Sequence, residues 1–473
     1  MIKGGYWVAA SSLIKAATQV LAFILYARVC DRSEFSAISI ASAFYSVIII
    51  FSDAGIGNYI IRTETSHDER KMQAAFIGAI SIGLAITIAA LALREHISVF
   101  YRRDDIGNII ALMATNFLII PLWQVPRAFL ERSLDFGAIA KVEIIAAITG
   151  LAATSIALWQ NFGAYSITFF GTSSNIVLWL LLRHVKPSIF KFPKGLRHYE
   201  WAEPISHSAH TMGFNACNAL GTHADILIAG RFLSGGDLAP YAAAKELCLK
   251  GALLINPVIA RICTPLIARL GGDRDSLRSL YKKISSSATV INCPIYLTIL
   301  LFPNEVNSIL FGNKWHSEEV IFRVMAVWGF LRAFGSPSGS LWFGLGKQRL
   351  AMVFSFFTLL FFVPAFYLGA QFGSTGLMLA ALTAMFIQQA YPIWRFAVNE
   401  CTGMGYFEYF STLATPVLTG VAAYLLSSII SHLISIHATV NGVNTTQVLF
   451  FLLVYALISF YFNKSARLIL GIK

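Results

Sequence analysis

Six basic residues stand inside long apolar stretches of this sequence: Lys15, Lys141, Lys245, Lys250, Arg323 and Arg332. Acidic residues occur in such stretches as well, among them Asp53, Asp225 and Glu246. Placing an ionised side chain at the centre of a bilayer costs at least about 2.5–3.5 kcal/mol. The chemistry open to such groups is electrostatic: they can hold an anion, pair with one another, or carry a proton or cation. No pattern for covalent catalysis accompanies them. His207 and His210 lie three residues apart and His223 follows later, but a zinc site needs three or four convergent ligands, so these read as polar helix-face residues. The six cysteines, Cys30, Cys217, Cys248, Cys263, Cys293 and Cys401, show no paired C-x-x-C spacing and read as small buried hydrophobes. Asp104 and Asp105 follow Arg102 and Arg103 directly, which favours a solvated charge cluster over an acid/base pair. No glycine-rich phosphate loop is visible, so direct coupling to ATP is not expected. Neither a metal nor a cofactor is expected.

The elements that must position these groups are membrane-spanning helices. The chain has 473 residues, of which 56% are hydrophobic and 13% charged. Soluble domains carry roughly 25% charged residues, so there is too little polar surface here to clothe a globule of this size in water. The apolar residues recur in blocks of about 18–24, the length that a hydrocarbon core ~30 Å thick asks of a helix. Counting blocks predicts about fourteen spans, near 6–29, 36–60, 72–93, 107–126, 138–158, 163–183, 205–230, 239–262, 285–302, 319–343, 350–370, 374–396, 411–433 and 446–463. The first block exceeds a signal-peptide core and lacks an A-x-A-like end, so it is expected to be a retained span. Soluble enzymes, nucleic-acid binders and secreted disulfide scaffolds are excluded. The fold class is an all-α polytopic membrane protein.

Orientation follows from the basic residues. Of 36 lysines and arginines, 23 fall on one side of the predicted spans and 7 on the other. Both termini are therefore expected in the cytoplasm, and much of the +12 net charge is a topology signal. Helical rise then gives depth. Lys15 sits about nine residues into the first span, or ~14 Å deep, and Lys250 and Arg332 are comparably deep. Lys141 and Arg323 lie about one turn from a surface and can snorkel. Glu246 and Lys250 are spaced i,i+4 in the favourable order and can neutralise one another. Asp225 and Lys245 lie at similar depths, so a structural or gating ion pair and a ligand-binding role for Lys245 both stay open. Lys15 has no carboxylate on its own helix, which makes it the strongest candidate to line a cavity. Asp53 can pair with Lys15 or Arg62, or serve as a proton or cation site.

The chain also repeats itself. Ala27-Arg28 through Glu34-Phe35 matches Gly230-Arg231 through Asp237-Leu238: an arginine at a helix end, a short acidic turn, then a returning helix. Leu134 to Ala140 matches Gly346 to Ala351 at a similar offset. A parallel six-plus-six repeat is the pattern of a two-lobed transporter. The expected organisation is an N-lobe at 1–183, a basic cytoplasmic linker at 184–204, a C-lobe at 205–398, and two additional spans at 399–473.

Three stretches carry a resemblance to a known family. They are Ala27-Arg28 … Phe35 … Phe51-Ser52-Asp53-Ala54-Gly55-Ile56-Gly57, the run from Pro121-Leu122-Trp123 through Pro126-Arg127 and Glu131-Arg132 to Glu143, and Asp225 to Leu233. The sequence resembles the polysaccharide-transport, Wzx-like branch of the multidrug/oligosaccharidyl-lipid/polysaccharide flippase superfamily, over nearly its whole length. The departure is Val29-Cys30-Asp31, where a Leu-Gly-Pro turn is common. The resemblance implies two six-helix lobes forming a V that alternates its opening, in a bacterial inner membrane. It also implies a cargo of undecaprenyl-diphosphate-linked oligosaccharide, and a cavity lined by spans 1, 2, 7 and 8. Lys15, Lys250, Arg332 and Lys245 are then the expected substrate-binding cations, with Asp53, Asp225 and Glu246 in gating or coupling. Coupling to an H+ or Na+ gradient, and partnership with polymerase and export machinery, are left open. The alternatives are a cation-coupled drug antiporter of the same superfamily, which would favour isolated carboxylates, and a membrane polymerase or acyltransferase, which would need a long periplasmic loop.

Overall fold

A computed structural model describes residues 2–53, 69–185, 199–434, 439–440 and 443–462. The chain divides into two compact units, one of residues 1–239 with 355–363 and one of residues 240–354 with 364–473.

The first unit holds α1 (Ile2–Val29), α2 (Arg32–Asp53), α3 (Glu69–Ala92), α4 (Arg94–Tyr101), α5 (Asp104–Ala114), α6 (Asn116–Arg132), α7 (Phe136–Trp159), α8 (Ser166–Leu182) and α9 (Tyr199–Phe232). α1 and α8 both pack on α7, and α9 packs on α2. The turn between α1 and α2 is closed by a capping box. The backbone N–H of Glu34 donates to Asp31 Oδ1 at 2.7 Å, and that of Asp31 donates back to Glu34 Oε2 at 3.0 Å. The turn after α9 uses the same positions, with the Asp237 N–H donating to Ser234 Oγ at 3.2 Å and that hydroxyl donating to Asp237 Oδ2 at 2.7 Å. The two acidic turns matched in sequence therefore share one way of starting the returning helix.

Polar side chains inside this unit are satisfied in pairs, as a low-dielectric interior demands. Asn175 Nδ2 donates to Asn116 Oδ1 at 3.0 Å, and Trp123 Nε1 donates to Asn175 Oδ1 at 3.1 Å, tying α6 to α8. Arg103 grips Asp105 through Nε and Nη2, and its Nη1 donates to Ser36 Oγ at 2.7 Å. Asp104 and Asp105 stand in the first turn of α5, and the Arg103–Asp105 pair is partly buried rather than the solvated cluster expected of this run.

α10 (Gly235–Leu270) starts in the first unit and enters the second at Pro240, and the second continues through α11 (Arg274–Leu301), α12 (Pro303–Phe311), α13 (Glu319–Gly335) and α14 (Pro337–Gly344). α15 (Gln348–Gln371), α16 (Gly373–Ala390), α17 (Tyr406–Ile434) and α18 (Thr445–Phe462) complete the helices. A short antiparallel pair, Thr439–Val440 with Val443–Asn444, joins the last two. α10, α11 and α13 approach closely: a Cβ on Gly329 would meet Tyr296 at 2.5 Å and Cys248 at 2.8 Å. Glycine is what permits that crossing. Tyr296 Oη donates to the Cys248 carbonyl at 3.0 Å in the same place. α17 and α18 pack on α11 through Cys293, Phe302, Ala423, Phe451 and Tyr455.

Each expected span overlaps helix; those at 107–126 and 319–343 are each divided between two helices, and residues 54–60 of the second span lie outside the described residues. Among the described residues, ten helical segments are long and apolar enough to cross a membrane, eleven when α3 and α4, bent by 51°, count as one. The expected spans at α9, α10 and α18 stand outside those ten. α9 and α10 carry Asp225, Lys245, Glu246 and Lys250, and α18 offers a shorter apolar run, Thr446–Ser459. The phenylalanines of α15 divide by face. Phe356, Phe357 and Phe361 are exposed, whereas Phe354, Phe362 and Phe366 are buried.

Candidate functional site

The cations singled out by sequence fall into two settings. In the first unit, Lys15 projects from the middle of α1, with Thr18 one turn on donating its hydroxyl to the Lys15 carbonyl at 2.9 Å. The Lys15 ammonium reaches Glu143 Oε1 of α7 at 3.2 Å. The same oxygen accepts Nε of Arg127 from α6 at 3.0 Å, and Arg127 Nη1 reaches Glu131 Oε2 at 3.1 Å. Three helices thus meet at one carboxylate, two cations against two anions. Exposure is uneven: the Lys15 side chain is 42% exposed and that of Glu143 10%. Glu143 is the held group, and Lys15 keeps one side toward solvent or ligand.

Sequence reasoning placed Lys15 without a carboxylate on its own helix, which is correct, and the partner comes from α7. Glu143 and Arg127 were legible only as part of the motif run, with Arg127 counted as a topology residue. The i,i+4 spacing of Arg127 and Glu131 was the signal available for that half of the network.

In the second unit the cations meet an aromatic ring. Trp328 of α13 is buried, the Lys245 ammonium of α10 lies 5.8 Å from its ring centroid, and the Arg332 guanidinium lies 5.7 Å from it. Both distances fall within cation–π range, worth about 0.5–2 kcal/mol each depending on desolvation. Lys245 is 0% exposed. Trp328 and Arg332 are i,i+4, so one helix brings ring and guanidinium together, and α10 supplies the lysine. Trp328 is the residue that sequence reasoning missed here, and its spacing from Arg332 was the clue.

The other named residues are spread over several helices. Glu246 Oε2 and Lys250 Nζ lie 3.5 Å apart in the i,i+4 pair read from sequence. Asp225 is buried in α9 and its Oδ1 accepts the Ile226 N–H at 2.8 Å. Asp53 ends α2, and its side chain lies outside the described residues, as do those of His207 and His210. Arg323 reaches Glu319 and donates to the Leu300 carbonyl at 2.6 Å, and Lys141 is exposed. Among the described residues no group of three His, Cys, Asp or Glu side chains is placed to hold a metal ion.

Such arrangements can hold and pass on anions. A half-exposed ammonium with a fixed carboxylate behind it offers an attractive face that is neutral overall when empty. Fixed guanidinium groups can bind phosphate bidentately.

Comparison with known proteins gives one consistent picture. The profile of a family described as "Polysaccharide biosynthesis protein" matches residues 25–319. The chain is 24% identical over 430 residues to the lipopolysaccharide biosynthesis protein WzxC of Escherichia coli, covering 90% of this chain and 86% of that one. It is 22% identical to the teichuronic acid biosynthesis protein TuaB of Bacillus subtilis, covering 90% and 88%. Among solved structures, the lipid II flippase MurJ in its inward closed conformation superposes with a TM-score of 0.74 at 14% identity, covering 98% of this chain and 99% of that one. At that identity the likeness is one of fold.

Proposed function

We propose a translocation function from one premise: the chain belongs to the polysaccharide biosynthesis protein family. It is a multi-pass membrane transporter that flips lipid-linked oligosaccharide repeat units for the assembly of a surface polysaccharide, and it performs no covalent chemistry. The observation that carries this reading is the coincidence of a flippase fold along the whole chain with cations held deep in its helices. An acidic lipid headgroup cannot enter a low-dielectric slab unpaired. Lysine and arginine within the helices supply the partners.

The finer parts belong to the same reading. The cargo is an undecaprenyl-diphosphate-linked repeat unit, and the membrane is the bacterial inner membrane with both termini in the cytoplasm. Lobes at 1–183 and 205–398 alternate access, with 184–204 as the linker. Lys15, Lys250, Arg332 and Lys245 meet cargo, and Asp53, Asp225 and Glu246 act in gating or in coupling to an H+ or Na+ gradient. A polymerase and export machinery take the flipped product. The drug-antiporter alternative asks for isolated carboxylates, whereas Glu143 and Glu246 each have a basic partner.

The test is a strain lacking the gene. Lipid-linked repeat units should accumulate facing the cytoplasm and surface polysaccharide should disappear, both restored by the intact chain. Normal flipping in the deletion strain would overturn the assignment.

A further inference from the structure

Glu143 stands out among the titratable groups of the first unit because two cations from two different helices share one of its oxygens. Lys15 Nζ and Arg127 Nε reach Glu143 Oε1 at 3.2 and 3.0 Å. Two positive charges are thereby held within about 6 Å of each other, a separation at which they repel strongly in a poorly screened site. The carboxylate that reconciles them is itself largely buried, whereas Lys15 is nearly half exposed. Any incoming anion therefore meets the two cations from the exposed side and Glu143 from behind.

We propose that Glu143 is a built-in competitor for the cargo: a carboxylate that occupies Lys15 and Arg127 when the site is empty and is displaced from them by the cargo's diphosphate. This extends the flippase reading and rests on it. A diphosphate brings more negative charge than one carboxylate, so it displaces Glu143 from the two cations. Displacement leaves Glu143 buried with its partners engaged elsewhere, a state that favours their return. Glu131, bonded to the other side of Arg127 at 3.1 Å, keeps that guanidinium in place through the exchange. A transport site must bind well enough to load and loosely enough to release, as conduction sites do. Glu143 sets that balance as a positioning residue.

The experiment uses the full chain in detergent with farnesyl diphosphate as the probe, alongside flipping measured in cells. Glu143→Gln removes the competing charge while keeping the shape. Probe affinity should rise roughly tenfold, with flipping reduced because release is slow. Lys15→Ala should lower affinity, and Lys15→Ala combined with Glu143→Gln should cancel most of the gain. Should Glu143→Gln fail to accumulate, Glu143→Asp withdraws the oxygen by one methylene and should shift affinity in the same direction by less. Unchanged affinity in Glu143→Gln or in the accumulated aspartate variant, with Lys15→Ala still weaker than the parent, would overturn the competitor role and leave the flippase reading intact. A parent protein that does not bind the probe at all, and whose deletion leaves flipping normal, would overturn both.

Discussion

The two cationic regions solve one problem by opposite means. Around Lys15 the countercharge is a carboxylate, brought from a third helix and shared with Arg127. Around Trp328 the indole ring has Lys245 and Arg332 at 5.8 and 5.7 Å from its centroid, and the helix of Lys245 also carries the Glu246–Lys250 pair. A carboxylate is directional and exchangeable, because another anion can take its place. A ring quadrupole cannot be displaced by an anion and holds cations without neutralising them. On the proposed exchange, the carboxylate of the first region gives way to another anion, whereas the ring of the second stays in place.

The largest expected effect breaks the comparison at the level of transport. Lys15→Ala, Lys250→Ala and Arg332→Ala should each abolish surface polysaccharide while membrane insertion, followed by accumulation in the membrane fraction, stays intact. Full complementation by all three would remove the cationic pathway. Next in size, Trp328→Ala empties a buried site beside two cations and should cost about 3–5 kcal/mol of stability, read as thermal unfolding in detergent. Trp328→Phe should recover the volume in part but give a weaker cation–π partner. A smaller loss, about 1.5–3 kcal/mol, is expected for Glu143→Ala, which strips charge-assisted hydrogen bonds from two cations. That loss should shrink in Lys15→Ala/Glu143→Ala, whereas no such coupling should link Glu143 with Trp328.

Outside both regions, Glu408 gives the smallest effect. It bridges Arg278 and Lys282 at the polar ends of α11 and α17, with a 2.8 Å bond from Arg278 Nε. Glu408→Ala should cost no more than about 1 kcal/mol and lose even that at high salt. An effect as large as that of Glu143→Ala would mean that surface and interior pairs do not differ as the comparison requires.

Much of the architecture was legible because it is local. A block of apolar residues fixes a span, and the capping positions Asp31 with Glu34, and Ser234 with Asp237, fix where the next helix starts. Breaks within spans were less visible. The block at 107–126 reads as one hydrophobic run, yet α5 and α6 part at Thr115, whose N–H turns back to the Leu112 carbonyl. Likewise α13 and α14 part at Ser336, just before Pro337, which cannot donate a backbone hydrogen bond. The bend between α3 and α4 has no proline; it falls where the block at 72–93 ends and Arg94-Glu95-His96 begins.

The sequence by itself determined that this is a helical membrane protein, roughly where its helices lie, and which charges they carry. It also determined pairs one turn apart, Glu246 with Lys250 and Trp328 with Arg332, because helical periodicity sets those neighbours. Only the tertiary structure decided that Glu143 serves both Lys15 and Arg127, and that Lys245 lies against Trp328. Those meetings depend on how each helix is rotated and how deeply it sits against the next. Side-chain packing over the whole unit sets those quantities, and no spacing along one helix encodes them.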